Sequence, residues 1–276
     1  MRASWRATAT GPFSASLETA EAATNAGASN SQICLRHSEK FGPAGSMGDC
    51  MGEQVKLQAS DGHELDAYVA RPQGEPIAGL VVVQEAFGVN SHMRSVADAY
   101  AKDGFLAVAP ALFDRVQRGV ELGYSSDDLQ KGMAMARQGD ISDRLKDVAA
   151  ALHYAQRETG KKAGVIGYCL GGTLAWLAAT RLDPAAAVGY YGGQILQFAG
   201  EKPKAPIMLH FGKLDRHIPR DQIDLKVQAA HPEVPIFWYE EAGHGFNCND
   251  RDTYNPAAAK LARERSLEFL RKHLIS

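Results

Sequence analysis

From residue 162 to the C-terminus, short apolar runs alternate with segments of helical period, and few folds can absorb that pattern. Lys162–Ile166, Ala186–Tyr191, Pro206–Phe211 and Val234–Tyr239 read as strands. Gly171–Arg181, Pro219–Ala230 and the terminal Pro256–His273 read as helices, the last turning Leu261, Leu267 and Leu270 inward. Strands separated by helices cross over and lie parallel, with helices covering both faces of the sheet. The first half extends the same sheet. Alternation in Val55–Leu57–Ala59 and Leu65–Ala67–Val69 around Asp61-Gly62 predicts a β-hairpin. The unbroken apolar run Ile77–Gln84 predicts a strand buried on both faces. A helix over Met93–Lys102, a strand over Phe105–Ala109 and a helix over Ile141–Gln156 follow, with Asp114–Asp140 forming a loose, partly helical cap. The expectation is one α/β domain over residues 53–276, with a mostly parallel central sheet.

Residues 1–52 are rich in Ala, Ser, Thr, Gly and Asn without a sustained hydrophobic period, which predicts a disordered N-terminal extension. Arg2 and Arg6 among hydroxyl residues hint at a transit peptide, but Glu18 and Glu21 argue against it, and Met47 and Met51 are alternative starts. Cys34-x-x-His37 with Cys50 lacks a fourth ligand, so no zinc site is expected. Thirty Lys and Arg against 32 Asp and Glu offer no basic excess for nucleic acid or an anionic membrane. No apolar run approaches the roughly 18 residues a membrane span requires. Four scattered cysteines do not make a disulfide framework, which points to a cytoplasmic chain with reduced thiols.

The chemistry centres on Gly167-Tyr168-Cys169-Leu170-Gly171-Gly172, which follows a strand and opens a helix. A nucleophile between glycines at a strand-to-helix junction is a nucleophile elbow, here with Cys169 where serine is commoner. The plain alternative is a buried structural cysteine beside a tight turn. A helix N-terminus favours the thiolate, the reactive form, and the Leu170 N–H opens toward the same space as an oxyanion donor. Asp215 and His244 each follow a later strand, spaced 46 and then 29 residues on. The order nucleophile, acid, histidine is that of α/β-hydrolases. It predicts that His244 relays a proton, that Asp215 holds the ring, and that an acyl-thioester forms and is hydrolysed.

Residues from about 54 to 276 resemble the dienelactone hydrolase (carboxymethylenebutenolidase) family of α/β-hydrolases. The matching pieces are Gln84–Asn90, the Gly167–Gly172 elbow, Val188–Gly192 and Trp238–His244. The resemblance implies Cys169, Asp215 and His244 as the triad, Glu85 as a carboxylate near the resting thiol that helps deprotonate it, and Ala86 N–H as second oxyanion donor beside Leu170. It also points to Phe87, Tyr191 and Phe246 as pocket lining, for which core packing is the other reading. The substrate clamp departs from the pattern. An expected arginine four residues after the histidine is Cys248, and the other falls at Gln130 or Lys131 in the cap, with Arg115 and Arg137 as possible substitutes. Gly245 stands where a hydroxyl residue is common. The expectation is a cofactor-free and metal-free hydrolase of a small ester or lactone, with a monomer favoured. The alternatives are an esterase or thioesterase with the same triad, a redox- or electrophile-sensing thiol protein with Cys248 near the mouth, and an inactive binding fold.

Overall fold

The computed structural model describes residues 52–275. The expected disordered extension, the transit-peptide hint and the Cys34, His37 and Cys50 grouping lie outside the described residues, apart from Gly52. The chain opens with β1 (Glu53–Gln58) and β2 (Glu64–Ala70), paired antiparallel with Leu57 opposite Leu65. Then come β3 (Ala78–Val83), α1 (Ser91–Lys102) and β4 (Phe105–Pro110), followed by α2 (Ser126–Arg137), α3 (Ile141–Thr159), β5 (Ala163–Tyr168) and α4 (Leu170–Arg181). The remainder is β6 (Ala187–Tyr190), β7 (Ile207–Gly212), α5 (Arg220–Ile223), β8 (Ile236–Tyr239) and α6 (Pro256–Leu274).

The sheet runs β1-β2-β4-β3-β5-β6-β7-β8, parallel from β4 to β8, with only the β1–β2 and β2–β4 pairs antiparallel. Helices α1 and α6 meet through Arg263 on one face, and α3 packs with α4 on the other. That two-sided cover explains why β3, β4 and β5 are buried at every position and carry continuous apolar sequences. Helix α4 is apolar nearly all round, and every residue but Arg181 is buried. Caps match local sequence: Asn90 accepts from Met93 N–H at α1, Asp140 accepts from Ser142 N–H at α3, and Gly160 closes α3 in the left-handed conformation.

A polar thread crosses the core behind the sheet's carboxyl edge. His210 on β7 bonds the Tyr239 hydroxyl through Nδ1 (2.9 Å) and Ser266 Oγ through Nε2 (3.1 Å). Ser266 in turn lies 2.7 Å from the Tyr190 hydroxyl. Burial, with the Arg265 charge nearby, pushes the His210 ring down to about 3, so it is neutral in the folded protein.

Two local expectations are corrected, and a third, the partly helical cap, is met. Leu261 is not inward but 41% exposed; α6 buries Ala258, Ala259, Ala262, Ser266, Leu270 and Leu274 instead, because small residues let the helix lie close to the sheet. Within the cap, α2 is a full 12-residue helix started by Ser125, whose hydroxyl accepts from Asp128 N–H. The helix expected over Pro219–Ala230 is one α-turn followed by a wider π-turn at Asp224–Gln228, and it buries only Ile223 and Val227. So little apolar surface does not hold a long regular helix in place.

Candidate active site

Strand β5 delivers the chain into the elbow. Cys169, half-buried, has φ 55° and ψ −109°, one of two non-glycine residues with positive φ among those described. Such a backbone is strained and persists because its surroundings hold it. Cys169 N–H donates to Tyr190 C=O at 3.0 Å, and Gly171 N–H donates to Gln84 C=O at 3.1 Å. A Cβ on Gly171 would stand 2.3 Å from the Val83 carbonyl oxygen, so only glycine lets the helix start this close to β3. The thiol thereby occupies the N-terminus of α4, where helical N–H groups are unpaired and favour negative charge.

Asp215 and His244 arrive from the ends of β7 and β8. His244 Nδ1–H donates to Asp215 Oδ2 at 2.7 Å, and Nε2 faces Cys169 Sγ at 3.2 Å. The second oxygen of Asp215 accepts from the His217 N–H at 2.9 Å. Burial raises the cost of ionising Asp215, but the His244 ring and the His217 N–H more than offset it and hold the carboxyl below its usual range. For His244, burial works against the charged ring, and the Cys169 charge together with the Asp215 hydrogen bond overcomes it, carrying the imidazole up to about 10. Carboxylate, ring and sulfur thus form one hydrogen-bonded line able to move a proton to and from a group at the sulfur.

The loop after β3 forms the opposite wall. Gln84 is anchored inward, its Oε1 accepting from Leu112 N–H at 3.0 Å. Glu85 is 1% exposed, and neither carboxylate oxygen has a hydrogen-bond partner. It makes no hydrogen bond to Cys169; its nearest cation is Arg251, with Nη1 3.9 Å from Oε1. The N–H groups of Ala86 and Leu170 donate to no acceptor among the described residues, although both residues are buried. Unpaired buried N–H groups are rare.

Phe87 is buried against the Tyr124 ring at 4.7 Å and lies under Arg251, 5.5 Å from the guanidinium carbon. Tyr191 is buried beside the His244 ring at 5.1 Å, with positive φ and a hydroxyl that has no partner. Phe246 is fully buried among Tyr190, Tyr191 and Tyr239, on the core side. Cys248 is also fully buried and does not reach a mouth; burial, reinforced by the Glu85 charge, pushes its thiol up to about 11.

Arg251 is a cation beside this site that the sequence pattern does not single out. Two tight turns bring it in: Cys248 N–H donates to Gly245 C=O and Arg251 N–H to Cys248 C=O. Gly245 explains itself here by its backbone, whose φ of 77° suits glycine, and Arg251 Nη1 fills the space beside it. Of the cap candidates, Arg115 is committed elsewhere, gripping Asp147 with two bonds of 2.7 Å. Gln130 and Lys131 are exposed on α2. The one advance signal for Arg251 was the pairing of two departures, Cys248 and Gly245, within one short loop.

A mostly parallel sheet in this strand order, with a nucleophile elbow on β5 and an acid and a histidine on later strand ends, defines an α/β-hydrolase. The dienelactone hydrolase family profile matches residues 65–274, and the chain belongs to that family. It is 36% identical over 226 residues to the carboxymethylenebutenolidase of Pseudomonas putida, covering 79% of this chain and 95% of that protein. It is 33% identical over 230 residues to a putative carboxymethylenebutenolidase of Synechocystis, covering 76% and 93%. Among solved structures, a putative dienelactone hydrolase from Klebsiella pneumoniae superposes with a TM-score of 0.66 at 27% identity, over 78% of this chain and 98% of that one. The protein is a hydrolase of small-molecule esters or lactones. Among the described residues no helix is long and apolar enough to cross a membrane.

Proposed function

We propose that this hydrolase works by covalent catalysis through Cys169, His244 and Asp215. The observation that carries the reading is the unbroken line Asp215 Oδ2–His244 Nδ1 (2.7 Å) and His244 Nε2–Cys169 Sγ (3.2 Å). The sulfur attacks the ester or lactone carbonyl as thiolate, and the carbonyl π electrons move onto oxygen, where Ala86 N–H and Leu170 N–H receive the charge. Collapse of this intermediate breaks the C–O bond, and the His244 imidazolium protonates the departing oxygen. In a lactone that oxygen stays tethered to the acyl group. Water then gives a proton to His244 and attacks the thioester, and the thiolate leaves.

Arg251 supplies the cationic contact that Cys248 gave up, which favours substrates carrying a carboxylate, as dienelactones do. Until such a group arrives, Glu85 balances Arg251; once Arg251 turns to the substrate, the freed carboxylate takes the proton of any Cys169 still in the thiol form, while His244 keeps its own proton for the departing oxygen. Phe87 and Tyr191 line this pocket. Every proposed catalytic group comes from one chain, which suits a monomer, and a free-thiol nucleophile suits the cytoplasm. The moved arginine also favours a second reading, the same chemistry on an ester or thioester other than dienelactone.

The test is hydrolysis of cis- and trans-dienelactone beside a neutral aryl ester. Wild type should cleave at least one, and Cys169→Ala should lose about 10³-fold or more in kcat/KM while melting at a similar temperature. Residual activity within tenfold of wild type would overturn the covalent mechanism. Aryl-ester cleavage alone would select the second reading.

A further inference from the structure

The cap is joined to the oxyanion loop through both backbone and side chains. Leu122 N–H donates to Phe87 C=O at 2.9 Å, and Gly88 pairs with Glu121 as a β-bridge. Asn90 Nδ2 donates to Leu122 C=O at 2.9 Å and to the Tyr124 hydroxyl at 3.1 Å. Arg94 donates to Val89 C=O at 2.8 Å and meets Glu121 at 2.7 Å, clamping loop and cap segment together. Helix α2 then lies over this layer and buries a single residue, Gly132.

Gly132 sits in mid-helix, where glycine costs helix stability relative to alanine. Its position supplies the reason. A Cβ there would stand 1.9 Å from the Ala86 carbonyl oxygen and 3.0 Å from the Ala86 carbonyl carbon, with Leu122 Cδ1 a further 3.4 Å contact. The obstacle is backbone, which cannot swing aside as a side-chain tip can. It belongs to the residue whose own N–H is unpaired at the site.

We infer that α2 is the seat of the oxyanion hole and that Gly132 is a positioning residue for Ala86, setting how its N–H is aimed. The contact is direct: Gly132 lets the helix backbone rest on Ala86 C=O, and any side chain would turn Ala86 about its Cα. The inference rests on the proposed role of Ala86 as an oxyanion donor. It makes the cap part of the reaction's electrostatics as well as a pocket wall.

The experiment compares wild type, Gly132→Ala and Ala134→Gly. Ala134 is exposed on the same helix, so its change weakens α2 without pressing on the loop. Three quantities are read: kcat and KM for an aryl ester, the inhibition constant of a trifluoromethyl ketone, and the alkylation rate of Cys169 by iodoacetamide. The ketone adds to the thiolate to give a tetrahedral oxyanion, so its affinity reports the hole directly. Gly132→Ala should lose about 10- to 100-fold in kcat, part of what deleting a whole donor costs, with KM nearly unchanged. Ketone affinity should fall by a similar factor, while alkylation stays within twofold of wild type. Ala134→Gly should leave all three quantities near wild type. Unchanged kcat and ketone affinity in Gly132→Ala would overturn the inference, as would equal losses in Ala134→Gly, which would assign the effect to cap stability. A wild type that cleaves no ester would instead overturn the proposed function, and this inference with it.

Discussion

Arg251 shows how much one side chain can decide at this site. Its guanidinium lies between a buried carboxylate without hydrogen bonds and an aromatic face, still partly open to solvent, so on the proposed function it can meet the anionic group of a substrate. Arg251→Met should raise KM for a carboxylate-bearing lactone by about 10- to 100-fold, equivalent to roughly 1.4–2.8 kcal/mol, and leave a neutral aryl ester nearly untouched. Arg251→Lys should recover only part of that, because an ammonium is a point charge without the two-pronged fit. Steady-state kinetics on both substrates checks this, and equal losses on both would remove the clamp role. The same residue marks the limit of reading by sequence. Cys169, Asp215 and His244 could be found because each follows a strand, and strand ends in a parallel sheet converge on one edge. Arg251 follows no strand. Its place depends on turn geometry after His244, including the positive φ of Gly245, and turn geometry has no periodic signature.

At the scale of elements, the strands and the mostly parallel sheet followed from apolar runs alternating with helical segments, while the order of the strands is visible only in the structure. The helices were less transparent. In α6 the large apolar residue Leu261 lies outside and the small Ala262 inside, so a reading weighted by side-chain size turns the helix the wrong way. This has a measurable consequence. Leu261→Lys should change stability by less than about 0.5 kcal/mol, whereas Ala262→Leu should cost about 1–3 kcal/mol by overpacking. Urea unfolding of both variants tests it, and reversed costs would mean that α6 is rotated from the orientation described. Helix α2 escaped notice as a regular helix for a related reason. With Gly132 as its single fully buried residue its apolar signal is weak, and the Ser125 cap, Arg144 on the Met135 and Ala136 carbonyls and the contacts with the loop below define it.

For the molecule as a whole, the buried polar thread sets a limit on acid tolerance. His210 is neutral when folded, titrating at about 3, whereas an exposed histidine titrates near 6.5. Its folded pKa is depressed, so the unfolded chain binds a proton in the window between these values and the folded one does not. Stability is therefore lost as pH falls from about 6.5 toward 3, by up to roughly 1.4 kcal/mol per pH unit from this one group. Urea midpoints measured from pH 7 down to 4.5 should decline. His210→Gln should be less stable at pH 7 but lose about one proton's worth of that slope, and an unchanged slope would show that other groups dominate.

Sulfur, imidazole and carboxylate are carried on the ends of β5, β8 and β7, and the loop that faces them follows β3. No contiguous fragment of the chain holds them all at once without nearly the whole sheet. Parallel pairings between distant segments close late in folding, since their loop entropy must first be overcome. A molecule whose last strands have not docked thus carries its thiol without a partner imidazole. On the proposed mechanism, turnover is withheld until the architecture is complete, and hydrolysis becomes a faithful readout of the fully assembled chain.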